Sequence, residues 1–303
     1  MSLTNQNPQL RAQVKEQLRK PDWLRVSRRF SPEQAEVEGL LKELGLNTVC
    51  KEANCPNYSD CFSRKTATFM IMGTNCTRNC RFCNVESATS KDLEPLDAHE
   101  PQNVARAVRQ LELNYVVITS VTRDDLANGG AQHFAATIRA TRELSPTTAI
   151  EVLIPDFRGD RDALQIVTDA QPNVISHNME TVAALYPQVR AGADYQRSLA
   201  LIAAIKQFAP NIKAKSGIML GLGERKEQVL ELFDDLLQAG CELLTIGQYL
   251  APSAKHHPVH AFIEPSAFEE YGELAHKRGF GFVASAPLVR SSYQAEEVLR
   301  QRD

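Results

Sequence analysis

Short runs of β-branched and other apolar residues alternate with amphipathic helical stretches over most of the chain. The strand candidates are residues 66–73, 115–120, 149–154, 173–177, 212–220 and 242–247. The helical stretches lie near residues 101–112, 130–144, 160–170, 195–209, 225–239 and 265–278. This alternation predicts a parallel sheet with helices on its outside, because each helix is the crossover that joins two parallel strands.

The number of these units decides how far the sheet can close. Right-handed crossovers curl a parallel sheet toward a barrel, which closes at about eight units. The six units found here predict an α/β fold built on a partial, open parallel β/α barrel. We expect an N-terminal extension over residues 1–65 and the barrel over 66–279. Over 280–303 we expect a tail that can add an edge strand (GFVASA) and that closes over the site.

The N-terminal extension begins with a basic arm and continues with a helix signal. Its basic residues are Arg11, Lys15, Arg19, Lys20, Arg25, Arg28 and Arg29, against Glu16 and Asp22. The arm is either a solvated surface segment or a docking element for an acidic macromolecule. The tetrapeptide SPEQ, from Ser31 to Gln34, then predicts a capping box, and the helix is expected to stop at Gly45. A loop is expected after it.

The composition is that of an ordinary globular protein. Of the 303 residues 43% are hydrophobic, and the net charge of −3 gives no reason to expect nucleic acid as a partner. The sequence has no apolar run of about eighteen residues and no charged-then-apolar leader, so neither a membrane span nor export is expected. We therefore expect a cytoplasmic protein.

Six of the seven cysteines lie close together, in two sets of three. The first set is Cys50, Cys55 and Cys61, and the second set is Cys76, Cys80 and Cys83. A total of seven is an odd number, and six of the seven are clustered in a protein that is not expected to be exported, which argues against a disulfide framework. The seventh, Cys241, opens an apolar run and is most simply a buried core thiol.

Each set is one ligand short of the four that a zinc ion or a cubane iron–sulfur cluster takes. The second set follows the first barrel strand, so it is expected at the carboxyl ends of the strands, where parallel barrels place their chemistry. Three thiolates there can hold three irons of a [4Fe–4S] cluster and leave the fourth iron open for a substrate. Structural zinc is the alternative, although the paired CxxC motifs that it usually shows are absent.

The second set, with Phe82 directly before its last cysteine, resembles the CxxxCxxC signature of radical S-adenosylmethionine (radical SAM) enzymes. The resemblance implies that the amino and carboxylate groups of S-adenosylmethionine chelate the open iron. One electron from the cluster then cleaves the sulfonium to a 5′-deoxyadenosyl radical. The missing fourth ligand of this set is therefore expected to be a cosubstrate.

Two further stretches resemble cofactor-binding motifs of the same superfamily. GIMLGLGE resembles the GxIxGxxE motif that packs against adenine, although a plain strand-to-helix turn is the alternative. Its motif positions are Gly217, Met219, Gly221 and Glu224, with Met219 where isoleucine is usual. In SHNMET, Asn178 and Glu180 stand where the superfamily puts polar residues near the ribose; the alternative role of Asn178 is turn formation.

Longer strings resemble lipoyl synthases over nearly the whole chain. They are KPDWLRV (20–26), FMIMGTNCTRNCRFCNV (69–85), VTRDDLANGGA (121–131), TIGQYLAPS (245–253) and VRSSY (289–293). Together with the spacing of the first set, these strings are more specific than either cysteine spacing alone. Ala286 stands where glycine is more usual, and no departure removes a ligand.

This narrower resemblance implies a sulfur-inserting reaction. Lipoyl synthases place sulfur on the sixth and eighth carbons of an octanoyl chain that hangs from a lysine of a carrier domain. These carbons have no acidic proton, so acid–base catalysis cannot reach them and radicals must remove the hydrogens. The resemblance implies that a second [4Fe–4S] cluster, on the first cysteine set, supplies the sulfur and is consumed.

A cluster that is to be dismantled is expected to carry one weaker, oxygen ligand. The resemblance assigns this role to the second serine of RSSY, here Ser292, with Arg290 helping to hold the site. From the residues alone, the alternative is that Ser291 and Ser292 cap the final helix, SSYQAEEVLRQRD.

The resemblance also implies partners. The expected substrates are octanoylated carrier domains of 2-oxo acid dehydrogenase acyltransferase subunits and of the glycine cleavage H protein. An electron donor such as ferredoxin or flavodoxin and a carrier that rebuilds the consumed cluster are expected as well, with no nucleic acid and no membrane. Two alternatives stay open: another radical sulfur-inserting or methylthio-transferring enzyme, and a non-catalytic iron–sulfur or zinc scaffold.

Overall fold

The computed structural model describes residues 19–26, 31–89, 92–293 and 295–299. Its strands are β1 (Asn47–Thr48), β2 (Thr68–Ile71), β3 (Asn75–Cys76), β4 (Glu86–Ser87), β5 (Tyr115–Ser120), β6 (Ala149–Leu153), β7 (Val174–Ser176), β8 (Lys213–Leu220), β9 (Leu243–Gln248) and β10 (Phe282–Ser285). Its α-helices are α1 (Pro32–Glu43), α2 (Val49–Glu52), α3 (Tyr58–Ser63), α4 (Glu100–Gln110), α5 (Ala131–Leu144), α6 (Arg161–Asp169), α7 (Tyr186–Val189), α8 (Tyr195–Phe208), α9 (Lys226–Gln238) and α10 (Pro265–Arg278). Short 3₁₀-helices lie at Asp22–Leu24, Phe157–Gly159, Ala183–Leu185 and Ala295–Leu299.

Eight strands form one sheet in the order β1-β2-β5-β6-β7-β8-β9-β10. β1 pairs antiparallel with β2, and the other pairs of this sheet are parallel. β1 and β10 are its edges, so the barrel is open, as the number of units predicted. A two-stranded parallel sheet joins β3 and β4 across the loop of the second cysteine set.

Both faces of the main sheet are covered, which explains its nearly continuous apolar strands. Along β5, Val116 and Ile118 pack into the main core, whereas Thr119 lines a cavity on the opposite face. Burial of each such aliphatic side chain stabilises the fold by about 1.5–3 kcal/mol. Within the described part of the chain, no helix is long and apolar enough to cross a bilayer.

The six predicted strands and six predicted helices are all present, and β10 is the predicted edge strand. The sequence did not predict β1, because two residues carry no periodic pattern. The capping box is half formed: Ser31 Oγ accepts from the N–H of Gln34 at 3.2 Å, but the Gln34 side chain donates to Glu38 at 2.8 Å instead of turning back.

For the termini, one prediction was wrong and one alternative does not hold. The first cysteine set was expected in a loop, but Cys50 lies on α2 and Cys61 on α3. Ser291 and Ser292 were suited to cap a final helix, but they lie in a turn, and a 3₁₀-helix follows only at Ala295. Helices of four to six residues are too short for a hydrophobic stripe to reveal them.

The basic arm is described only in part. Arg19, Lys20 and Arg25 are within the described residues, and Arg25 pairs with Asp22 at 2.9 Å. Both partners of this pair are exposed, so it contributes no more than about 1 kcal/mol. Arg11, Lys15, Glu16, Arg28 and Arg29 lie outside the described residues. The docking role of the arm therefore stays a prediction.

Candidate active site

One cavity of about 1100 Å³ opens at the carboxyl ends of the barrel strands. Side chains of β2, β5, β6, β8 and β9 and the C-terminal tail form its wall. The expected site residues that line it are Cys50, Cys55, Cys61, Cys76, Cys80, Phe82, Cys83, Asn178, Glu180, Gly217, Met219, Arg290 and Ser292. Ligand pockets usually hold about 300–1,000 Å³, so this cavity has room for more than one small ligand.

The loop of the second set is held by main-chain groups of the loop that follows β5. Cys76 Sγ accepts hydrogen bonds from the N–H of Thr122 at 3.3 Å and from the N–H of Arg78 at 3.4 Å. Thr77 Oγ1 donates to the Thr122 carbonyl at 2.9 Å and accepts from the N–H of Asp124 at 3.0 Å. N–H groups aimed at a cluster sulfur stabilise its negative charge and tune the reduction potential.

Arg78, inside this loop, is tied to two carboxylates at the strand ends. Its guanidinium donates to both oxygens of Asp124, at 2.8 and 3.0 Å, and to Asp156 at 2.5 Å. Asp156 is fully buried and also accepts from Arg197 Nε at 2.8 Å. Burial alone would raise the pKa of Asp156, but the hydrogen bond and charge of Arg78 outweigh it and hold this pKa below its usual range. The network locks the loop to the barrel.

The first set lies ahead of the barrel, on α2, α3 and the turn between them. Cys50 and Cys61 are buried and Cys55 is half-buried. One hydrogen bond joins the two sets: the side chain of Asn84, which follows the last cysteine of the second set, donates to the Glu52 carbonyl at 2.8 Å. This bond fixes the end of α2 against the second loop.

The C-terminal tail passes over β9 and contacts the first set. The side chain of Asn57 donates to the Leu288 carbonyl at 2.8 Å. A Cβ at Gly247 of β9 would lie 2.1 Å from the carbonyl oxygen of Val289, so only glycine lets the tail approach this closely. The TIGQYLAPS and VRSSY strings therefore meet in space.

The tail is anchored again after Ser292. The Arg64 guanidinium lies 5.6 Å from the centre of the Tyr293 ring, a cation–π contact of about 0.5–1 kcal/mol. Ala295 packs against Tyr115 and Val117, which face the barrel interior. Ser292 is thus held on the cavity wall between two fixed points.

The three thiols within each set influence one another. Burial raises the pKa of Cys61 to about 12, and Cys50 and Cys55 add to the effect. In the second set, burial and the other two thiols likewise raise the pKa of Cys83 to about 12. Thiolates crowded in this way are stabilised by a bound cation, because metal binding takes the place of the proton. Both donor sets therefore suit a metal centre.

The spacing of the donors indicates which kind of centre fits. Among the described residues, no three Cys, His, Asp or Glu side chains converge as the ligands of a single metal ion do. A cubane cluster binds each thiolate through a different iron, so its ligands need not converge on one point. The two sets of three thiols, which lack the paired CxxC motifs of structural zinc, are therefore compatible with [4Fe–4S] clusters.

A second ligand cradle lies where the chain after β7 runs beside β8. Glu180 adopts a φ of +65° and donates its N–H to the Gly217 carbonyl at 3.0 Å. Asn178 Nδ2 donates to Glu180 at 3.1 Å, which leaves its buried Oδ1 without a partner in the part of the chain that is described. A Cβ at Gly217 would lie 2.9 Å from that oxygen and 2.6 Å from Thr245 Oγ1. A free acceptor beside a required glycine fits a ligand that carries N–H or O–H donors, as adenosine does.

Two guanidinium groups face this cradle. Burial raises the pKa of Glu180, and the charges of Arg190 and Arg290 oppose the effect. Arg190 Nη1 donates to the Tyr186 hydroxyl at 2.8 Å, and its Nη2 lies 3.4 Å from His177 Nε2. Burial lowers the pKa of His177 to about 3, so its ring is neutral and Nε2 can accept from Arg190. The cavity wall thereby presents fixed positive charge.

The remaining predicted residues lie at the edge of this arrangement or away from it. Gly221 and Glu224 do not line the cavity; Glu224 accepts from the N–H groups of Gly221 and Leu222, at 2.6 and 2.9 Å, and so shapes the turn after β8. Phe82 packs beside the apolar cluster that contains Tyr249. Cys241 is confirmed as a buried thiol, and it borders a separate cavity away from the cysteine sets.

Sequence reasoning missed Arg78, Asp124, Asp156, His177 and Arg190. The available signal was the position of the two acids, since Asp124 and Asp156 both follow shortly after a strand end. Charged residues at the carboxyl ends of barrel strands are typical of active sites.

Comparison with known proteins agrees with this geometry. The family model described as "Radical SAM superfamily" matches residues 70–236. The lipoyl synthase of Alkaliphilus metalliredigens is 54% identical over 285 residues, which are 94% of this chain and 97% of that protein. The lipoyl synthase of Caldicellulosiruptor saccharolyticus is also 54% identical, over 94% of this chain and 99% of that protein.

The fold has a relative among solved structures. The crystal structure of methylornithine synthase superposes with a TM-score of 0.54 over 90% of this chain and 92% of that one, at 14% identity. This likeness concerns the fold alone, whereas the identity to lipoyl synthases extends over 94% of the chain. The chain therefore belongs to the lipoyl synthase family of radical SAM enzymes, and its cofactors are two [4Fe–4S] clusters and S-adenosylmethionine.

Proposed function

We propose that the chain inserts two sulfur atoms, at the sixth and eighth carbons of an octanoyl chain carried on a lysine of a carrier domain. The observation that carries the proposal is that both cysteine sets and Ser292 line one cavity. An acyl chain in that cavity can meet a radical source and a sulfur source without leaving the protein.

The two sets hold different clusters in this proposal. Cys76, Cys80 and Cys83 hold one at the carboxyl end of β2, and the first set holds the other beside the tail. When bound, the cluster on the second set would supply a 5′-deoxyadenosyl radical together with S-adenosylmethionine. The cluster on the first set would supply sulfur. The Arg78 network keeps the second loop in place, and the N–H groups that point at Cys76 Sγ offset negative charge there.

Ser292 completes the first set as an oxygen ligand. Its place on the cavity wall, between the Val289 contact and the Tyr293 anchor, supports this role. Arg290 helps to hold the site through its charge. Burial lowers the pKa of Arg290, and the negative charges of Cys55 and Glu180 oppose this effect, so both groups lie close enough to interact with its guanidinium. A serine oxygen binds iron less firmly than a thiolate does, which suits a centre that must be dismantled.

The S-adenosylmethionine cradle uses the residues beside β8. Asn178 and Glu180 bind polar groups of the nucleoside, and Gly217 lets it approach the strand. Met219 and Phe82 supply the apolar part of the wall. Gly221 and Glu224 act indirectly, by fixing the turn that follows.

The carrier domains are octanoylated, and we propose that they belong to 2-oxo acid dehydrogenase acyltransferase subunits and to the glycine cleavage H protein. Ferredoxin or flavodoxin supplies electrons in the cytoplasm. A cluster carrier rebuilds the cluster that the first set holds. The chain divides by role into residues 1–65, which bring the first set, the barrel over 66–279, and the closing tail over 280–303.

One incubation tests the proposal. Anaerobically reconstituted protein is mixed with dithionite, S-adenosylmethionine and an octanoylated carrier domain, and the carrier is weighed by mass spectrometry. We expect a mass gain of two sulfur atoms together with 5′-deoxyadenosine. A methylthio product, or protein that binds zinc and not about eight irons per chain, would contradict the proposal.

A further inference from the structure

The segment from Lys20 to Val26 lies at the mouth of the active-site cavity. Lys20 and Val26 are part of the cavity wall. Between them, Asp22–Leu24 forms one 3₁₀ turn, and Trp23 within this turn is 37% exposed. A single exposed apolar side chain needs no special explanation. The Trp23 side chain is significant because it lies beside the entrance to the active site.

The backbone of the turn that carries Trp23 is anchored. Leu24 is fully buried and anchors the turn to the body of the protein. The N–H of Leu24 donates to the Pro21 carbonyl at 3.2 Å, and the N–H of Arg25 to the Asp22 carbonyl at 3.0 Å. A large aromatic side chain on an anchored backbone has only its own two side-chain torsions to order on binding, and tryptophan is enriched among interface anchors.

The surroundings of Trp23 are positively charged. Arg19, Lys20 and Arg25 flank it, and Asp22 is the one acidic residue of the segment from 19 to 26. No ion pair to Lys20 is present among the described residues, and its pKa is lowered by burial and by Arg290. Lys20 and Arg290 both line the cavity.

The substrate of the proposed function must contact this rim. The octanoyl chain is attached to its carrier through one lysine side chain, so the body of the carrier stays at the mouth while the acyl chain enters. An exposed aromatic side chain within a basic rim matches a partner whose surface is acidic around the acylated lysine.

We infer that Trp23 is the anchor of the carrier docking surface, with Lys20 and Arg25 beside it, and that its occupant is the acidic face of the octanoylated carrier domain. This inference rests on the proposed function for the identity of the occupant. Trp23 acts on docking and has no part in cleaving S-adenosylmethionine.

The test compares two substrates and two exposed apolar side chains. The reconstituted Trp23→Ala protein is assayed with the octanoylated carrier domain and with a short octanoyl-lysine peptide. Leu144→Ala is the matched control, because Leu144 is 36% exposed and ends α5, whose carboxyl end lies at the opposite end of the barrel. We expect the KM for the carrier to rise at least about tenfold in Trp23→Ala, with the peptide kinetics unchanged. Trp23→Phe, which keeps an aromatic ring, should recover most of the loss.

Two outcomes would overturn the inference. One is an unchanged KM for the carrier in Trp23→Ala; the other is an equal rise for carrier and peptide, which would show damage to the cavity. Carrier binding measured by calorimetry without S-adenosylmethionine separates this inference from the proposed function. If the parent protein binds the carrier but forms no lipoyl group, the proposed function fails, while the affinity of Trp23→Ala still decides the role of the anchor.

Discussion

The two cysteine sets open on the same cavity but are held in different ways. The second set lies on one loop directly after β2, where two N–H groups point at Cys76 Sγ and Arg78 is locked by Asp124 and Asp156. The first set lies on two short helices ahead of the barrel, and residues from the opposite end of the chain, around Leu288 and Tyr293, close over it.

This difference separates a durable centre from a replaceable one. Opening the second loop would break buried ion pairs, which is costly. The tail that closes over the first set has no buried ion pair within the described residues, so its local release is expected to cost less than opening the second loop. The geometry therefore suits one cluster that is retained and another that is dismantled and rebuilt.

The largest effect is expected from Cys80→Ala, which removes a ligand from the durable centre. Loss of a supporting group near a metal lowers activity by about 10–100-fold, and loss of a ligand should exceed that. We expect 5′-deoxyadenosine formation, measured by chromatography without carrier, to fall more than about 100-fold. Formation at the parent rate would mean that this set does not generate the radical.

Cys55→Ala should separate the two roles. Iron should fall from about eight to about four atoms per chain, while 5′-deoxyadenosine still forms within about tenfold of the parent rate. No sulfur should reach the carrier. Cys241→Ala is the control, because this buried thiol lies away from both sets, and it should keep all the iron and full lipoyl formation. A lipoyl product from Cys55→Ala would show that the first set is not needed as the sulfur source.

Ser292→Ala tests the oxygen ligand of the replaceable centre. Sulfur insertion should fall about 10–100-fold, and cleavage of S-adenosylmethionine should persist. Ser292→Cys should keep the iron and slow its release during turnover, because a thiolate binds iron more firmly. Ser291→Ala, the neighbouring change, should have little effect. Equal losses in both alanine variants would show that the turn matters and the hydroxyl of Ser292 does not.

Asp156→Asn should weaken the durable centre without touching a ligand. It leaves Arg78 and Arg197 short of a buried partner, at a cost of about 3 kcal/mol in the free energy of unfolding. We expect a broadened electron paramagnetic resonance signal from the second set and a raised KM for S-adenosylmethionine. Arg158→Ala, which removes the 68% exposed partner of Asp124, should cost less than about 1 kcal/mol. Identical electron paramagnetic resonance signals from the two variants would show that the Arg78 network does not affect the second set.

The periodic parts of the molecule were predictable and the contacts between loops were not. Runs such as YVVITS and the stripes of helices such as α8 repeat a pattern over many residues, so their type and bounds follow from the sequence. The Arg78 network joins three loops that are far apart in the chain, and no local pattern records such a meeting. The approach of Val289 to Gly247 likewise exists only once the tail has folded back.

The residues of the candidate site were predictable where they belong to a recognisable sequence motif. The six cysteines of the two sets, Asn178, Gly217, Arg290 and Ser292 all line the cavity, and each belongs to a distinctive motif or string. Gly221 and Glu224 belong to such a string as well, yet they shape a turn outside the cavity wall. A motif therefore identifies residues that act together without saying which of them face the ligand.

A single turnover with labelled sulfur tests most directly whether the two sets do different work in one cavity. Protein is reconstituted with ³⁴S-sulfide, freed of excess sulfide and mixed anaerobically with dithionite, S-adenosylmethionine and octanoylated carrier. We predict that both sulfur atoms of the lipoyl product carry ³⁴S, that iron of the first set is released, and that the signal of the second set persists. A product without the label, or loss of the second set's signal in step with product formation, would contradict the account.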